Sequence, residues 1–219
     1  MNKLAEPDSG KRLLLKDRAY QMIKRDILTG KLPAGMFLSE RLLANHLNIG
    51  KAPIRDAIGR LRQENYLDVA PQQGIVVKGL TVKTMTDTFE LRSILEPQIA
   101  SKLAGQLPSS SKYALESNLA MQRECAEVKD IQGFIDLDVN FHLILAKAYG
   151  NQELLQIIDQ ICEKTYRSIY SAPRGMAEKL TFALADHEAI YQHLIQGEAK
   201  AAEERMASHI NGTRSLLLP

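Results

Sequence analysis

Apolar positions in the first part of the chain recur at helical spacing and predict three helices. The first is predicted over residues 13–29, ahead of Gly30 at a C-cap position. Ser39 is a candidate N-cap for a short second helix, because its hydroxyl can accept a hydrogen bond from an unpaired backbone N–H. Pro53 suits the first turn of the third helix. The apolar stripe of that helix is spaced i, i+3, i+4 and i+7, at Ile54, Ala57, Ile58 and Leu61.

The apolar pattern changes to short alternating runs after the third helix. Residues 67–69 and 75–77 each resemble a strand, and Pro71-Gln72-Gln73-Gly74 between them is typical of a tight turn. Two short helices joined by a tight turn and followed by a β-hairpin form a winged helix-turn-helix, whose second helix enters the major groove of DNA. Residues 78–80 are predicted to be the linker to the rest of the chain.

Every pattern from Thr81 onward is helical. Short breaks at Pro, Gly, Asn or Asp separate the segments, and short connections predict an antiparallel bundle. The sequence therefore predicts a mainly α protein with a flexible tail (1–12), a winged helix-turn-helix domain (13–80) and a helical domain (81–219). The predicted helices of the bundle span residues 82–104, 109–128, 131–149, 152–170, 174–196 and 198–216.

Charge divides along the same boundary. Residues 1–80 hold 14 Lys and Arg against 8 Asp and Glu, whereas residues 81–219 hold 14 against 18. A basic first part suits a polyanion such as DNA. No apolar run approaches the roughly 20 residues that cross a bilayer, and the polar start has no signal-peptide core, so a cytoplasmic protein without a membrane partner is expected.

Four residues of the helical domain have the chemistry of a metal site. Asp138 and His142 are spaced i, i+4 and point from one helix face, while His187 and His209 lie on two later helices. One carboxylate and three imidazoles suit Zn²⁺, and also Ni²⁺ or Mn²⁺, with open positions left for a ligand. A histidine on a helix is more often structural, so spacing alone leaves both interpretations open.

An ordered set of fragments resembles the GntR family of transcription regulators, with an effector domain of the FadR type, termed FCD. The resemblance extends from about Leu13 to the end of the chain. The fragments that carry it are residues 30–44, 47–58, Gln73-Gly74, Leu91–Glu96, Asp138–His142, Gly150-Asn151, Asp186–Glu188 and Ser208–Ile210.

The resemblance implies DNA contacts from Arg41 at the start of the second helix, Lys51 and Arg55 on the recognition helix, and Gly74 at the wing tip. Arginine reads guanine through a bidentate contact, whereas lysine suits phosphate as a point charge. The family usually has Ser or Thr where Gly50 stands, and Arg where Lys51 stands. These departures bear on which operator sequence is recognised.

The resemblance also implies that the Asp and three His are the metal ligands of the effector domain, and that a small carboxylate effector coordinates the metal there. Arg92 is a candidate clamp for that carboxylate, or else an ion-pair partner of Glu96 at i+4, and both roles stay open. Tyr166 and Arg167 are further candidates for lining the effector pocket.

The function expected from these features is a ligand-responsive regulator, a repressor, that binds a palindromic operator as a homodimer. The alternative is a metal-dependent enzyme that retains a DNA-binding head. A hydrolase would need a general base beside a metal-bound water. His187-Glu188 does not begin an H-E-x-x-H motif, because Tyr191 stands at the second His position. The sequence therefore favours a regulator without catalytic residues.

Overall fold

The computed structural model describes residues 14–70, 74–171 and 183–218. The chain divides into two compact units between Gly79 and Leu80. This division falls inside the predicted linker, residues 78–80. The predicted flexible tail, residues 1–12, lies outside the described residues.

The described residues of the first unit form three helices and a small antiparallel sheet. The strand order is β1-β3-β2, with Phe37 opposite Val76 and Leu67 opposite Val77. The predicted hairpin is present, and a two-residue strand that the sequence pattern did not reveal joins its other edge. The elements are α1 (Leu15–Leu28), β1 (Phe37–Leu38), α2 (Glu40–Leu47), α3 (Lys51–Gln63), β2 (Leu67–Ala70) and β3 (Gly74–Val77).

Local signals explain where α2 and α3 begin and end. Ser39 Oγ accepts a hydrogen bond from the Leu42 N–H at 3.1 Å, as expected of the predicted N-cap. Asn48 ends α2 in the left-handed conformation with φ 52°, a conformation that Asn tolerates better than most residues. Gly50 precedes α3 in an extended conformation and supplies no side-chain cap.

In the first unit, one face of each element packs into a shared apolar core. The four predicted stripe residues of α3 are all buried, and they pack with α1, α2 and the sheet. The opposite face of α3 stays in solvent, which leaves it accessible to a partner. The fully buried side chains of this core include Ala19, Ile23, Leu43, Ile54, Ala57 and Leu61.

The second unit is all-helical within the described residues. Helices α5 and α6 begin and end where the sequence pattern predicts. The other bounds match or differ by one residue, apart from the start of α8, whose predicted position lies outside the described residues. No described helix is long and apolar enough to cross a membrane. The elements are α4 (Val82–Leu103), α5 (Ser109–Val128), α6 (Ile131–Tyr149), α7 (Gln152–Ser171), α8 (Ala183–Gln196) and α9 (Ala199–Leu217).

Helix α4 contacts α6, α7, α8 and α9, and the six helices share one main apolar core. Phe89, Leu115, Phe141 and Ile190 have no exposed surface in this core. Polar and charged side chains are buried beside them on α4, α5, α6, α8 and α9. Burial of such groups requires partners, and those partners define the candidate site.

Candidate functional site

The four predicted metal ligands meet inside the second unit. Asp138 and His142 come from α6, His187 from α8 and His209 from α9, and all four are buried. One ligand atom of each lies within 4.8 Å of the others. The His142 and His209 Nε2 atoms are 3.2 Å apart, and His187 Nε2 is 3.5 Å from Asp138 Oδ1. The set predicted from sequence is thus one cluster in space.

Helix α6 is fixed at both ends, which sets the position of its two ligands. Asp130 caps its start by accepting a hydrogen bond from the Gly133 N–H, and Gly150 ends it with φ 84°. Asp138 and His142 are one turn apart on its buried face. The ring of Phe141, on the same helix, stacks on His187 with centroids 4.2 Å apart. The aromatic contact holds the His187 ring beside the cluster.

Each histidine has an oxygen acceptor behind it, at Nδ1. The His142 Nδ1 lies 2.5 Å from Glu96 Oε2, and the His209 Nδ1 lies 3.5 Å from Asp186 Oδ2. The His187 Nδ1 lies 2.9 Å from the Gln122 side-chain oxygen. The Gln122 amide oxygen accepts a hydrogen bond from His187 Nδ1, whereas the carboxylates of Glu96 and Asp186 are charged neighbours of His142 and His209. The three Nε2 atoms face the cluster, as in metal-binding histidines held by outer acceptors.

The arrangement fits a cation. The buried His187 Nε2 has no hydrogen-bond partner. The Nε2 atoms of His142 and His209 face each other at 3.2 Å and can hydrogen-bond only if one of them is protonated. Ligand atoms of a tetrahedral zinc with bonds of roughly 2.0–2.1 Å are about 3.3 Å apart, close to the His142–His209 separation. The widest separation in the set, 4.8 Å, needs a small inward movement. Asp138, His142, His187 and His209 could therefore hold a divalent metal ion.

Burial and neighbouring charges set the protonation of the site. Burial lowers the pKa of His187 well below its ordinary value and also lowers the pKa of His209. Burial alone would raise the pKa of Glu96, but Arg92 and His142 outweigh it and lower the pKa. The His209 contact lowers the pKa of Asp186. Neutral imidazoles and ionised carboxylates are the forms that bind metal.

Arg92 is buried beside the cluster and forms the ion pair that the sequence allowed. Its Nε donates to Glu96 Oε1 at 2.5 Å, and its second guanidinium nitrogen lies 3.1 Å from His142 Nε2. The guanidinium thus contacts the His142 Nε2 atom that a metal ion would bind. Arg92 was expected either to clamp a carboxylate effector or to pair with Glu96. The structure shows the ion pair with Glu96, at the edge of the ligand set.

The other two predicted effector residues lie on α7. The Tyr166 hydroxyl accepts a hydrogen bond from Gln132 at 2.7 Å, and its ring packs with Ile135 and Ile169 in a small separate cluster. Burial and the nearby Asp136 raise the pKa of Tyr166. Arg167 is buried on the same helix. The described contacts therefore bring Arg92 to the metal ligands, whereas Tyr166 contacts a neighbouring region.

The predicted DNA-binding residues lie on the surface of the first unit. Lys51 and Arg55 are one turn apart on the exposed side of α3, and Arg41 is exposed in the first turn of α2. Gly74 is the first residue of β3, pairs with Ala70 and has φ 99°. A Cβ at this glycine would stand 3.1 Å from the Leu38 carbonyl oxygen, so a larger residue would be strained there.

Arg55 is held by a bidentate ion pair across α2 and α3. Its Nε and one terminal nitrogen each donate to a carboxylate oxygen of Glu40 at 3.0 Å. The pair lowers the pKa of Glu40 and raises the pKa of Arg55. Glu40 thereby fixes the direction of the guanidinium of a side chain that is 70% exposed. A base or phosphate would compete with Glu40 for the same fork of donors.

Sequence reasoning missed the outer acceptors of the histidines. Sequence reasoning offers Glu96 only as a possible ion-pair partner of Arg92, places Asp186 only within a family-like fragment, and gives Gln122 no role. A signal was available, because Arg92, Glu96 and Gln122 occupy the apolar stripes of α4 and α5. A polar residue at a core position requires a partner inside the core.

Comparison with known proteins identifies the class that this fold and site define. The family model described as "Bacterial regulatory proteins, gntR family" matches residues 15–77, and the FCD domain model matches residues 87–212. The chain therefore belongs to the GntR family of bacterial regulators and carries an FCD effector domain.

Relatives of known name and solved structures agree with this assignment. The HTH-type transcriptional repressor RspR of Escherichia coli is 26% identical over 191 residues, which cover 87% of this chain and 83% of the repressor. The Nta operon transcriptional regulator of Aminobacter aminovorans is 33% identical over 59% of this chain and 61% of its own length. The structure of E. coli McbR/YncC has the same fold, with TM-score 0.80, 20% identity and coverage of 94% and 98%.

The protein is thus a DNA-binding transcription regulator with a small-molecule effector domain, and not an enzyme. The relatives and the matching family models are transcription regulators. The expectation of a transcription regulator rather than a metal-dependent enzyme is confirmed by these relatives.

Proposed function

We propose that the protein is a repressor that binds a palindromic operator as a homodimer and responds to a small organic acid bound at a divalent metal in the second unit. Zn²⁺ is the metal proposed, with Ni²⁺ and Mn²⁺ as alternatives for the same donors. Two of its relatives are named repressors, RspR and a gluconate operon repressor of Bacillus licheniformis. The DNA target implies that the protein acts in the cytoplasm.

The observation that carries the metal proposal is the common orientation of the three histidines. Each has an acceptor at Nδ1, from Glu96, Gln122 or Asp186, and each directs Nε2 toward the cluster. Asp138 adds a negative charge at the same point. A cluster of buried histidines has no need of this arrangement for packing alone, whereas a metal ion would bind all four groups at once.

The effector proposal follows from the donor count. A bound divalent metal with four protein ligands retains open positions in five- or six-coordinate geometry, which a carboxylate oxygen can fill. Arg92 lies at the edge of the ligand set and is the candidate to meet that carboxylate, in exchange for part of its contact with His142. Tyr166 and Arg167 on α7 are the candidates for the far end of the effector.

Regulation requires that the effector distinguish two states of the protein. An effector that binds both states equally shifts nothing, so its contacts must differ between the DNA-binding state and the released state. We propose that Arg41, Lys51, Arg55 and Gly74 contact each half-site, and that twofold symmetry of the dimer matches the palindrome. The effector would then change the operator affinity of the dimer.

Metal content and thermal denaturation test the proposal. The purified protein is expected to carry one metal ion per chain, measured by inductively coupled plasma mass spectrometry. Chelation should lower the melting temperature, and Zn²⁺ should restore it. A ligand that binds only the folded state stabilises that state by mass action, by about 2.7 kcal/mol when its free concentration is a hundred times its Kd. Small carboxylates should raise the melting temperature further, and only in the metal-loaded protein.

Two histidine variants give a matched control. His187→Ala should lose stoichiometric metal, whereas His193→Ala should keep it, because His193 lies on the same helix and pairs with Glu198 away from the cluster. Unchanged metal content and melting after chelation would overturn the metal proposal. Operator footprints that protect only one half-site at saturation would overturn the homodimer.

A further inference from the structure

One metal ligand of the second unit is connected to the backbone by a chain of two buried side-chain amides. The Asn118 Nδ2 donates to the Leu137 carbonyl oxygen at 3.0 Å. The Gln122 Nε2 donates to Asn118 Oδ1 at 2.6 Å, and the His187 Nδ1 lies 2.9 Å from Gln122 Oε1. Asn118, Gln122 and His187 are all buried, so water does not compete for these contacts. We name these three linked contacts the amide relay.

The direction of every hydrogen bond in the amide relay follows from its first member. A backbone carbonyl can only accept, so the NH₂ group of Asn118 must face Leu137 and its oxygen must face Gln122. That oxygen requires the NH₂ group of Gln122, which turns the Gln122 oxygen toward His187. An oxygen that can only accept then requires a hydrogen on the His187 Nδ1.

The amide relay therefore decides which nitrogen of His187 is free. A neutral imidazole carries one hydrogen, so a protonated Nδ1 leaves a lone pair on Nε2. This Nε2 is buried, has no hydrogen-bond partner and lies 3.5 Å from Asp138 Oδ1. In the other tautomer, Nε2 would donate to Asp138 and the two groups would satisfy each other. The amide relay opposes that closed arrangement.

We propose that Asn118 and Gln122 are positioning residues that hold His187 in the Nδ1-protonated tautomer and so keep its Nε2 and the Asp138 carboxylate available to a divalent cation. The tautomer assignment stands on hydrogen-bond geometry alone, whereas its effect on the cation rests on the proposed function. Leu137 directly precedes Asp138 on α6, so the amide relay also ties the α8 ligand to the helical turn that carries the α6 ligand.

The tautomer can be read directly in the metal-free protein. Long-range hydrogen–nitrogen NMR correlations of ¹⁵N-labelled full-length protein at about pH 8, above the ordinary histidine pKa, distinguish the two neutral forms. The His187 signals are assigned by their loss in His187→Gln. The wild type is expected to hold the Nδ1-protonated form. An Nε2-protonated His187 in the wild type would overturn the inference, whatever the protein does with metal.

Three variants test the residues of the amide relay. Gln122→Leu removes the acceptor and should convert His187 to the Nε2-protonated form that donates to Asp138. Asn118→Leu frees the Gln122 amide to rotate and should give a mixture of the two forms. Gln122→Glu loses the donor to Asn118 Oδ1 but retains an oxygen facing His187, so it should keep the Nδ1-protonated form. An unchanged tautomer in both leucine variants would overturn the role of the amides.

Zinc affinity gives the second readout, by competition with a chromophoric chelator. Gln122→Leu should weaken Zn²⁺ binding about 10- to 100-fold, the usual effect of losing an outer partner of a metal-binding histidine, and Gln122→Glu should restore most of it. Gln98→Leu is the matched control, since Gln98 is exposed and pairs with Glu203. Circular dichroism and melting establish that each variant is folded.

The two proposals fail in different ways. If His187 changes tautomer as expected but the wild type binds no Zn²⁺, the amide relay stands and the metal-dependent function falls. If the wild type binds Zn²⁺ tightly and Gln122→Leu binds it equally well in a folded state, the metal function stands and the positioning role falls. If Gln122→Leu does not fold, the wild-type tautomer and the Gln122→Glu variant still decide the inference.

Discussion

The first unit keeps its charged side chains at the surface, whereas the second unit buries many of them. Among the described residues, Asp26 is the one buried polar or charged residue of the first unit. In the second unit, the corresponding set is much larger and includes most of the candidate site. Its members are Thr88, Arg92, Glu96, Asn118, Gln122, Asp138, His142, Thr165, Arg167, His187, His209 and Thr213.

This difference separates two ways of building a function. In the first unit, an apolar core holds the helices, and exposed residues such as Arg55 can change without affecting that core. In the second unit, the candidate ligand site is part of the core, so changes to the site also change the free energy of unfolding. A ligand of this site stabilises the folded unit by mass action, which links occupancy to the stability of the whole bundle.

The largest expected effect comes from breaking the buried ion pair of the second unit. The matched comparison is the exposed ion pair of the first unit. Glu96→Leu leaves the Arg92 charge buried without its carboxylate and should cost about 3–5 kcal/mol in the free energy of unfolding. Glu40→Leu breaks the bidentate pair with Arg55 at the surface and should leave stability nearly unchanged, because exposed pairs contribute little. Urea denaturation of the metal-free protein measures both variants.

A double variant serves as the control for this comparison. Arg92→Met combined with Glu96→Leu removes both buried charges, so it should recover most of the stability lost in Glu96→Leu alone. Equal losses for Glu96→Leu and Glu40→Leu would contradict the contrast between a buried site and a surface site.

The second expected effect is a loss of stability in acid that originates in the second unit. The folded-state pKa of His187 and of His209 is lowered by burial. Below about pH 6.5 these histidines take up protons in the unfolded chain but not in the folded unit. Their contribution to stability is therefore full above that pH and is lost as the pH falls. The slope is up to about 1.4 kcal/mol per pH unit for each histidine. Denaturation of metal-free protein between about pH 7.5 and pH 5.5 measures this slope.

Histidine variants assign the acid effect to the site. His187→Phe removes one of the two groups and should reduce the slope, since a phenyl ring takes up no proton in either state. His193→Phe changes a partly buried histidine on the same helix, which pairs with Glu198 away from the cluster, and should leave the slope as it is. Stability that does not change across this pH range would contradict the burial of neutral histidines.

Most of the fold could be predicted because it follows from local periodicity. The buried stripe of α3 and the bounds of α5 and α6 match the sequence pattern, since apolar spacing and capping residues act within one helix. The strand β1 was missed because two residues give no alternation to detect, and its pairing with β3 depends on a distant segment.

The candidate site could be predicted only in part. Resemblance to a family supplied Asp138, His142, His187 and His209, but neither spacing nor resemblance indicated what lies behind each ring. Gln122 and Asn118 are spaced with Leu115 and Leu119 on the buried stripe of α5, and that polar interruption was the available signal. Which acceptor meets which histidine depends on the packing of five helices, α4, α5, α6, α8 and α9, and helical periodicity carries no information about that.

The third prediction concerns DNA readout in the first unit. If Arg55 reads a guanine, Arg55→Ala should weaken operator binding roughly 5- to 150-fold and relax the base preference at one position of each half-site. Its stability should not change, because the side chain is 70% exposed. Titration of operator variants by fluorescence anisotropy measures both the affinity and the preference.

Lys51→Ala is the matched comparison on the same face of α3. A phosphate contact carries no base information, so this variant should weaken binding to all operator variants alike and reduce the salt dependence of affinity by about one ion. Operator affinity that Arg55→Ala leaves unchanged would remove Arg55 from the contact set.

The smallest expected effect concerns the start of the recognition helix. Gly50 is extended, with φ −60° and ψ 157°, and a Cβ added there meets nothing within 4 Å. A serine at this position can therefore accept a hydrogen bond from the first turn of α3, and Gly50→Ser should stabilise the first unit by about 0.2–0.5 kcal/mol. Gly50→Ala, which adds a Cβ without an acceptor, should give no such gain in thermal denaturation. The added hydroxyl would stand beside Lys51 on the proposed DNA face. If Gly50→Ser changes the operator preference and Gly50→Ala does not, the missing cap affects recognition as well as stability.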